Sequence, residues 1–236
     1  MDVAFILVNS DFVLYGTIME KVLARHPGRR ELNRQERRDA ILAVARESFL
    51  TDGYAGTTMS GIAATLGGSK GTLWSYFRSK EELFEAVLDH ATSEYCAQLS
   101  SLLNPCGDPH STIERFGASF IAKITSPPAI ALHRLVQAEA GRSPELGEIF
   151  YERAPRRTQQ LLADFLQAAM ERGMLRQDDP LWAARALIAL LMCGTHQQML
   201  LGRVGEPTAD VLAAEVAMAM DIFLRAYAPA SEHAAR

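Results

Sequence analysis

The sequence has little cysteine, no surplus of positive charge, no long unbroken apolar run and no stretch patterned for a sheet. Each shortage removes a class of protein. The three cysteines, Cys96, Cys106 and Cys193, are odd in number, far apart and without a CxxC or histidine-rich companion. That spacing offers neither a disulfide framework nor a metal site, and it fits a reducing, cytoplasmic compartment with buried, inert thiols. Asp and Glu outnumber Lys and Arg by 28 to 24, a net charge of -4. The chain therefore does not coat nucleic acid with its whole surface, although a local basic patch survives such a total. The opening run "MDVAFILVNSDFVLYGTIM" is interrupted by Asn9, Ser10 and Asp11, short of the roughly 18 apolar residues a membrane helix needs. It begins with Asp2 instead of a basic group and has no small-residue cleavage site, which argues against a secretory signal.

What is present is helical. Apolar residues make up 48% of the 236, enough for a substantial core, and their spacing lacks the alternation and turn rhythm of strands. The expected fold class is all-α. From Arg34 to Asp52, residues Ile41, Leu42, Ala45 and Phe49 share one face, and Gly53 stands where a left-handed C-terminal cap is wanted. Thr58 suits the start of a second helix carrying Ile62, Ala63 and Leu66, with Gly61 in place of the acid that completes a capping box. Gly67 and Gly68 make a tight turn, and Ser69 is placed to cap a third helix from Lys70. Ser79 and Glu82 form an S-x-x-E box that opens a long fourth helix.

Prolines after Ser126, Ser143, Asp179 and Glu206 announce further helices, giving runs of roughly 112–125, 128–141, 145–173, 180–202 and 207–227. The domains read as an extension over 1–33, an N-terminal three-helix bundle over 34–83, a larger helical domain over 84–228 and a tail over 229–236. Three readings of the extension stay open: a poorly ordered arm, an upstream start with Met19 nearer the true one, or an extra helix on the body.

The stretch "GGSKGTLWSYFRSKEELF", residues 67–84, joins a glycine turn to lysines and aromatics, a phosphate-binding combination. A P-loop needs G-x-x-x-x-G-K-[ST] after a strand. Here Lys70 precedes Gly71 and the preceding segment is helical. A helix-turn-helix needs what this stretch supplies: two helices, a tight turn, and small or polar residues where the second helix enters the major groove. "TTMSGIAATLGGSKGTLWSYFRSKEELFEAVL" resembles the DNA-binding signature of the TetR family of bacterial transcription regulators, without a gap from about Arg34 to Leu88. It departs from the family at Trp74, where tyrosine is usual, and at Gly61 and Gly68. The resemblance implies DNA contacts from Thr58, Ser69, Lys70, Gly71, Thr72, Trp74, Ser75, Tyr76 and Lys80. Hydroxyls, amides and lysines suit phosphates, whereas Thr72, Ser75 and the aromatic edges suit bases. Leu73 and Phe77, four apart, are assigned to the core. Lys80 opens the fourth helix, where a cation opposes the macrodipole unless a phosphate faces it.

The segment from Ser126 to Gly194, with "ALHRLVQAEA", "PEL" and "MLRQDDP", is similar to the C-terminal domain of the AefR-like branch of that family. This implies a ligand-binding and dimerisation domain. Candidate pocket residues are Phe116, Phe120, Ile124, Leu135, Phe150, Phe165, Met192, His196 and Met199, with His133 and Glu139 as further polar groups. The run from Pro180 to Gly202 is apolar nearly all round, and Val211, Leu212, Val216, Met220 and Phe223 form a stripe on the last helix, a pattern for a two-fold four-helix interface. The expected protein is a homodimeric, cytoplasmic repressor of a near-palindromic double-stranded operator, with half-sites about 34–36 Å apart, released by a small apolar effector. No nucleophile has a neighbouring base and orienting acid, so no catalytic residue, metal or cofactor is assigned. The alternatives are a regulator that activates or needs no ligand, and a helical interaction module without DNA binding.

Overall fold

In a computed structural model of the chain, residues 29–67 and 70–229 are described, Lys70 by its backbone alone. The expected Ser69 cap, Gly68, residues 1–28 of the extension and residues 230–236 of the tail lie outside them. Among the described residues every regular element is a helix: α1 (Arg29–Gly56), α2 (Met59–Thr65), α3 (Lys70–Tyr76), α4 (Lys80–Leu102), α5 (Pro109–Ile124), α6 (Pro127–Glu139), α7 (Pro144–Arg153), α8 (Pro155–Glu171), α9 (Pro180–Met192), α10 (Thr195–Leu200) and α11 (Ala209–Tyr227). None of them is long and apolar enough to cross a membrane.

Contacts divide the chain after Ile41. The described part of the first unit is the mostly exposed first half of α1, where Gln35 Nε2 donates to Asp39 Oδ1 at 2.8 Å. From Leu42 onward the contacts form one unit, which spans the region near Phe84. Helix α4 is the reason: Phe84 packs with Phe49 and Tyr54 in the small N-terminal bundle, while Leu99, four turns later, belongs to the large core.

Local chemistry sets most helix ends. Gly53 adopts φ 75° and Gly67 φ 64°, left-handed positions that a side chain disfavours; helical turns resume after Gly53 and run to Gly56. The Gly61 N–H donates to Thr58 Oγ1 at 3.0 Å, and the Glu82 N–H to Ser79 Oγ at 3.1 Å. Glu82 Oε2 reaches back to accept from the Arg78 N–H at 2.6 Å. Asp179 Oδ1 accepts from the Leu181 and Trp182 N–H groups at the start of α9. Each such cap satisfies a donor that the helix itself cannot.

Two expected runs are broken. Residues 145–173 divide at Ala154 (φ -122°, ψ -75°), because Pro155 has no N–H to continue the ladder and disfavours helical geometry in the residue before it. Residues 180–202 divide at Gly194. There Glu215 of α11 accepts from the Thr195 N–H at 2.8 Å and the Thr195 hydroxyl at 2.6 Å. A Cβ at position 194 would run into that carboxylate, which explains the glycine.

The main core joins α4, α5, α8, α9 and α11 through fully buried side chains such as Leu99, Phe116, Phe165, Leu187 and Phe223. Burying each contributes roughly 1.5–3 kcal/mol. Most of the stripe expected to meet a partner turns inward: Val216, Met220 and Phe223 are buried in this core and Leu212 packs against it, while Val211 stays exposed. Helix amphipathicity gives the face but not the neighbour that covers it. The thiols also differ from expectation, since only Cys96 is buried and Cys106 and Cys193 are exposed.

Candidate nucleic-acid interface and effector cavity

Helices α2 and α3, joined through Leu66 and Gly67, form the helix-turn-helix. Its inner side is Met59, Ile62, Ala63, Leu73 and Phe77, all buried. Burying Leu73 and Phe77 turns the opposite face of α3 outward: Gly71, Trp74 and Ser75 are exposed, Thr72 and Tyr76 half-buried. Trp74 is 47% exposed, a large apolar area to leave wet on a soluble surface. The Ser75 hydroxyl donates to the Thr72 carbonyl at 2.7 Å, which leaves its lone pairs outward. Thr58 caps α2 by accepting, so its hydroxyl proton is available to another acceptor. Lys70 begins α3; its side chain and Ser69 lie outside the described residues.

Lys80, expected beside a phosphate, is also engaged within the protein. Its ammonium donates to the carbonyls of Tyr54, at 2.8 Å, and Thr57, at 3.3 Å, and lies 4.2 Å from the centre of the Tyr54 ring. The cation therefore satisfies carbonyls at and just beyond the end of α1, where the macrodipole favours it. The Tyr54 hydroxyl in turn donates to Glu81 Oε1 at 3.0 Å. Burial, reinforced by Glu81, pushes the Tyr54 phenol well above its ordinary range. Backbone and Ser79 hydrogen bonds hold the Glu81 carboxyl below its own. This linkage ties α4 to the end of α1 beside the Phe49–Tyr54–Phe84 cluster.

A cavity of about 480 Å³ lies between α1, α4, α5, α6, α7, α8 and α9. Phe49, Leu50 and Phe84 form part of its wall, so the space touches side chains that also build the DNA-reading bundle. Of the candidate pocket residues, Phe120, Ile124, Leu135, Phe150 and Met192 line it. Phe116 and Phe165 face the closed core instead. His196 and Met199 are buried on α10 behind the wall, and Glu139 lies near Gly53 with one carboxylate oxygen buried and unpaired. Periodicity cannot separate these sets: Phe116 and Phe120, one turn apart and stacked at 5.6 Å, differ only in which neighbour they meet.

Among the polar residues of the wall that sequence reasoning passed over are Arg46, Tyr95 and Lys123. Lys123 follows Phe120 by three positions on the same helix, and a lysine inside an apolar stripe is the signal that marks it. His133 also lines the cavity, packed edge-on to Phe150 at 5.3 Å. Its Nδ1 lies 2.9 Å from His196 Nε2. Burial, with His196 adding to it, holds the His133 imidazole down to about 4, so it is neutral at pH 7; burial also lowers His196.

Behind His133, α10 is held from both ends. Glu215 caps its start, and the Arg134 guanidinium donates to the carbonyls of Met199 and Leu200 at its close. On the outer side of α4, Arg153 pairs with Glu85 and with Asp89 at 2.9 Å, and Arg157 reaches Asp89 at 3.3 Å. On α9 and α11, Trp182, Val211, Met218 and Ile222 are exposed. Among the described residues, no group of three or more His, Cys, Asp or Glu side chains is placed to hold a metal.

Residues 41–87 match the family described as bacterial regulatory proteins, tetR family, and residues 111–229 match the AefR-like transcriptional repressor C-terminal domain. The chain is 30% identical over 166 residues to the transcriptional regulator BetI of Paraburkholderia phytofirmans, covering 70% of this chain and 80% of that protein. Among solved structures, a TetR-family regulator from Mesorhizobium loti superposes with a TM-score of 0.73 at 26% identity, over 82% of this chain and 98% of the other. The flavonoid-responsive regulator FrrA superposes with a TM-score of 0.71 at 29% identity, over 83% and 99%.

Proposed function

Because this chain belongs to the TetR family of transcriptional regulators and is a DNA-binding regulator of that kind, we propose that it acts as a cytoplasmic, homodimeric repressor that a small apolar effector releases from its operator. One observation carries the reading: Phe49 and Phe84 belong at once to the aromatic cluster of the reading bundle and to the wall of the 480 Å³ cavity. A ligand that fills the cavity moves side chains that set the bundle's orientation. It shifts the population only as far as its affinity differs between the DNA-bound and released arrangements.

In this reading α3 enters the major groove, with Gly71, Thr72, Trp74, Ser75 and Tyr76 against the bases and Thr58, Ser69 and Lys70 near the phosphates. The exposed apolar side chains of α9 and α11 meet a second copy about a two-fold axis, which presents two α3 helices to half-sites about one turn of DNA apart. FrrA responds to a flavonoid, and its likeness supports an aromatic effector of similar size here. The deciding experiment compares binding to duplex from the protein's own promoter region and to random duplex across a salt series. The expected result is a preference of at least about 10³-fold for the promoter, with affinity falling steeply as salt rises. Equal affinity for both duplexes would overturn the proposal.

A further inference from the structure

We infer that the cavity selects lipophilic weak acids, a carboxylate or phenol on an apolar body, over neutral or cationic molecules of the same shape. The inference rests on the reading of this cavity as the effector site and narrows it to a chemical class. Its basis is the charge of the lining. Most of the wall is apolar, supplied by residues such as Phe120, Ile124 and Phe150, but Arg46 and Lys123 also face the cavity, and none of the described lining residues is acidic. Among the described residues neither cation forms an ion pair.

Lys123 is the sharper case. Its ammonium has one long contact, 3.5 Å to the Ala91 carbonyl, and lies 5.6 Å from the centre of the Tyr95 ring. Beside it the Tyr95 hydroxyl is buried and completes no hydrogen bond, although Ser119 is close enough to bear on its ionisation. Burial keeps that phenol protonated, so it remains a donor. Two adjacent donors, one charged, thus border an apolar space with a single long carbonyl contact between them. A ligand oxyanion supplies the missing acceptor for both. A neutral ligand that displaces water leaves the ammonium less solvated, and a cationic one adds repulsion to that loss. His133, neutral at pH 7, contributes no competing charge from α6.

The test uses the full-length protein without DNA and isothermal titration with two matched series. One is biphenyl-4-carboxylate, biphenyl-4-methanol and biphenyl-4-methylammonium; the other is decanoate, decanol and decylammonium. The expected order in each is carboxylate, then alcohol, then ammonium, with about tenfold between the first two, the value of one charge-assisted hydrogen bond. Lys123→Gln should erase the carboxylate's advantage and Lys123→Arg should keep most of it. Tyr95→Phe, a second and gentler variant, should weaken carboxylate and alcohol alike. Ammonium binding as tightly as carboxylate, a carboxylate preference that survives Lys123→Gln, or no binding in either series would each overturn the inference. Release of promoter DNA is measured separately. Correctly ordered binding without release would keep the ligand class and sink the effector reading.

Discussion

The DNA-reading bundle and the cavity-bearing body treat their polar groups in opposite ways. In the bundle several described ones are engaged within the protein: Thr58 and Ser79 on helix amides, Ser75 on a carbonyl one turn back, Lys80 on two carbonyls and a ring, Tyr54 on Glu81. In the cavity wall, the Tyr95 hydroxyl is buried without a partner and Lys123 has only a long one. A surface that must meet DNA with a fixed shape gains from internal satisfaction, because mobile side chains lose entropy on binding. A chamber with the effector role proposed above gains from donors left unmet, at the cost of keeping them buried.

Phe84 is where the contrast can be broken most severely, since it belongs to both regions. Phe84→Ala should cost on the order of 3–5 kcal/mol, seen as a lower urea midpoint, and should weaken promoter DNA and cavity ligand together. Loss of only one activity would show that the regions are less coupled than their shared wall implies.

The histidine pair confines the next effect to the body. A histidine whose folded value, about 4, lies below its ordinary 6.5 binds fewer protons folded than unfolded. Its stabilising effect is complete above about pH 6.5 and is lost as pH falls toward 4. The loss should reach at most about 3 kcal/mol, and His133→Gln should flatten thermal stability across that window. An equally steep profile in the variant would place the acid sensitivity elsewhere.

Smaller again is the cap supplied by Glu215. Gly194→Ala, which drives a methyl into that carboxylate, and Glu215→Ala, which removes it, should each cost about 2 kcal/mol. The double variant should cost less than their sum, a coupling that a thermodynamic cycle reads directly.

Lys80→Met sharpens the contrast with the least perturbation. With the ammonium serving carbonyls, stability should fall by about 1 kcal/mol while the salt slope of promoter binding stays the same. A slope reduced by about one unit would assign Lys80 to a phosphate instead.

The same contrast governs what the sequence reveals. The capping residues Thr58, Ser79 and Asp179, and Gly53 with its positive φ, are legible because cap and helix lie within a turn of each other. Burial of Leu73 and Phe77 follows from their spacing alone. Lys80 was not legible as a cap because the carbonyls it serves lie 23 and 26 residues earlier. Glu215, 20 residues beyond the helix it starts, is hidden for the same reason. Phe165 and Phe150 are alike in sequence as large aromatics on amphipathic helices, yet one is enclosed by the core and the other borders the cavity. Only the arrangement of neighbouring helices decides between them.

Helix α10 spans just six residues, far fewer than the roughly 12–15 at which an isolated helix becomes even marginally stable in water. It owes its winding to charges lent by two other helices, Arg134 of α6 below and Glu215 of α11 above. Glu215→Ala should therefore speed amide exchange within those few residues, and unchanged exchange would show that burial of His196 and Met199 holds the turn without it.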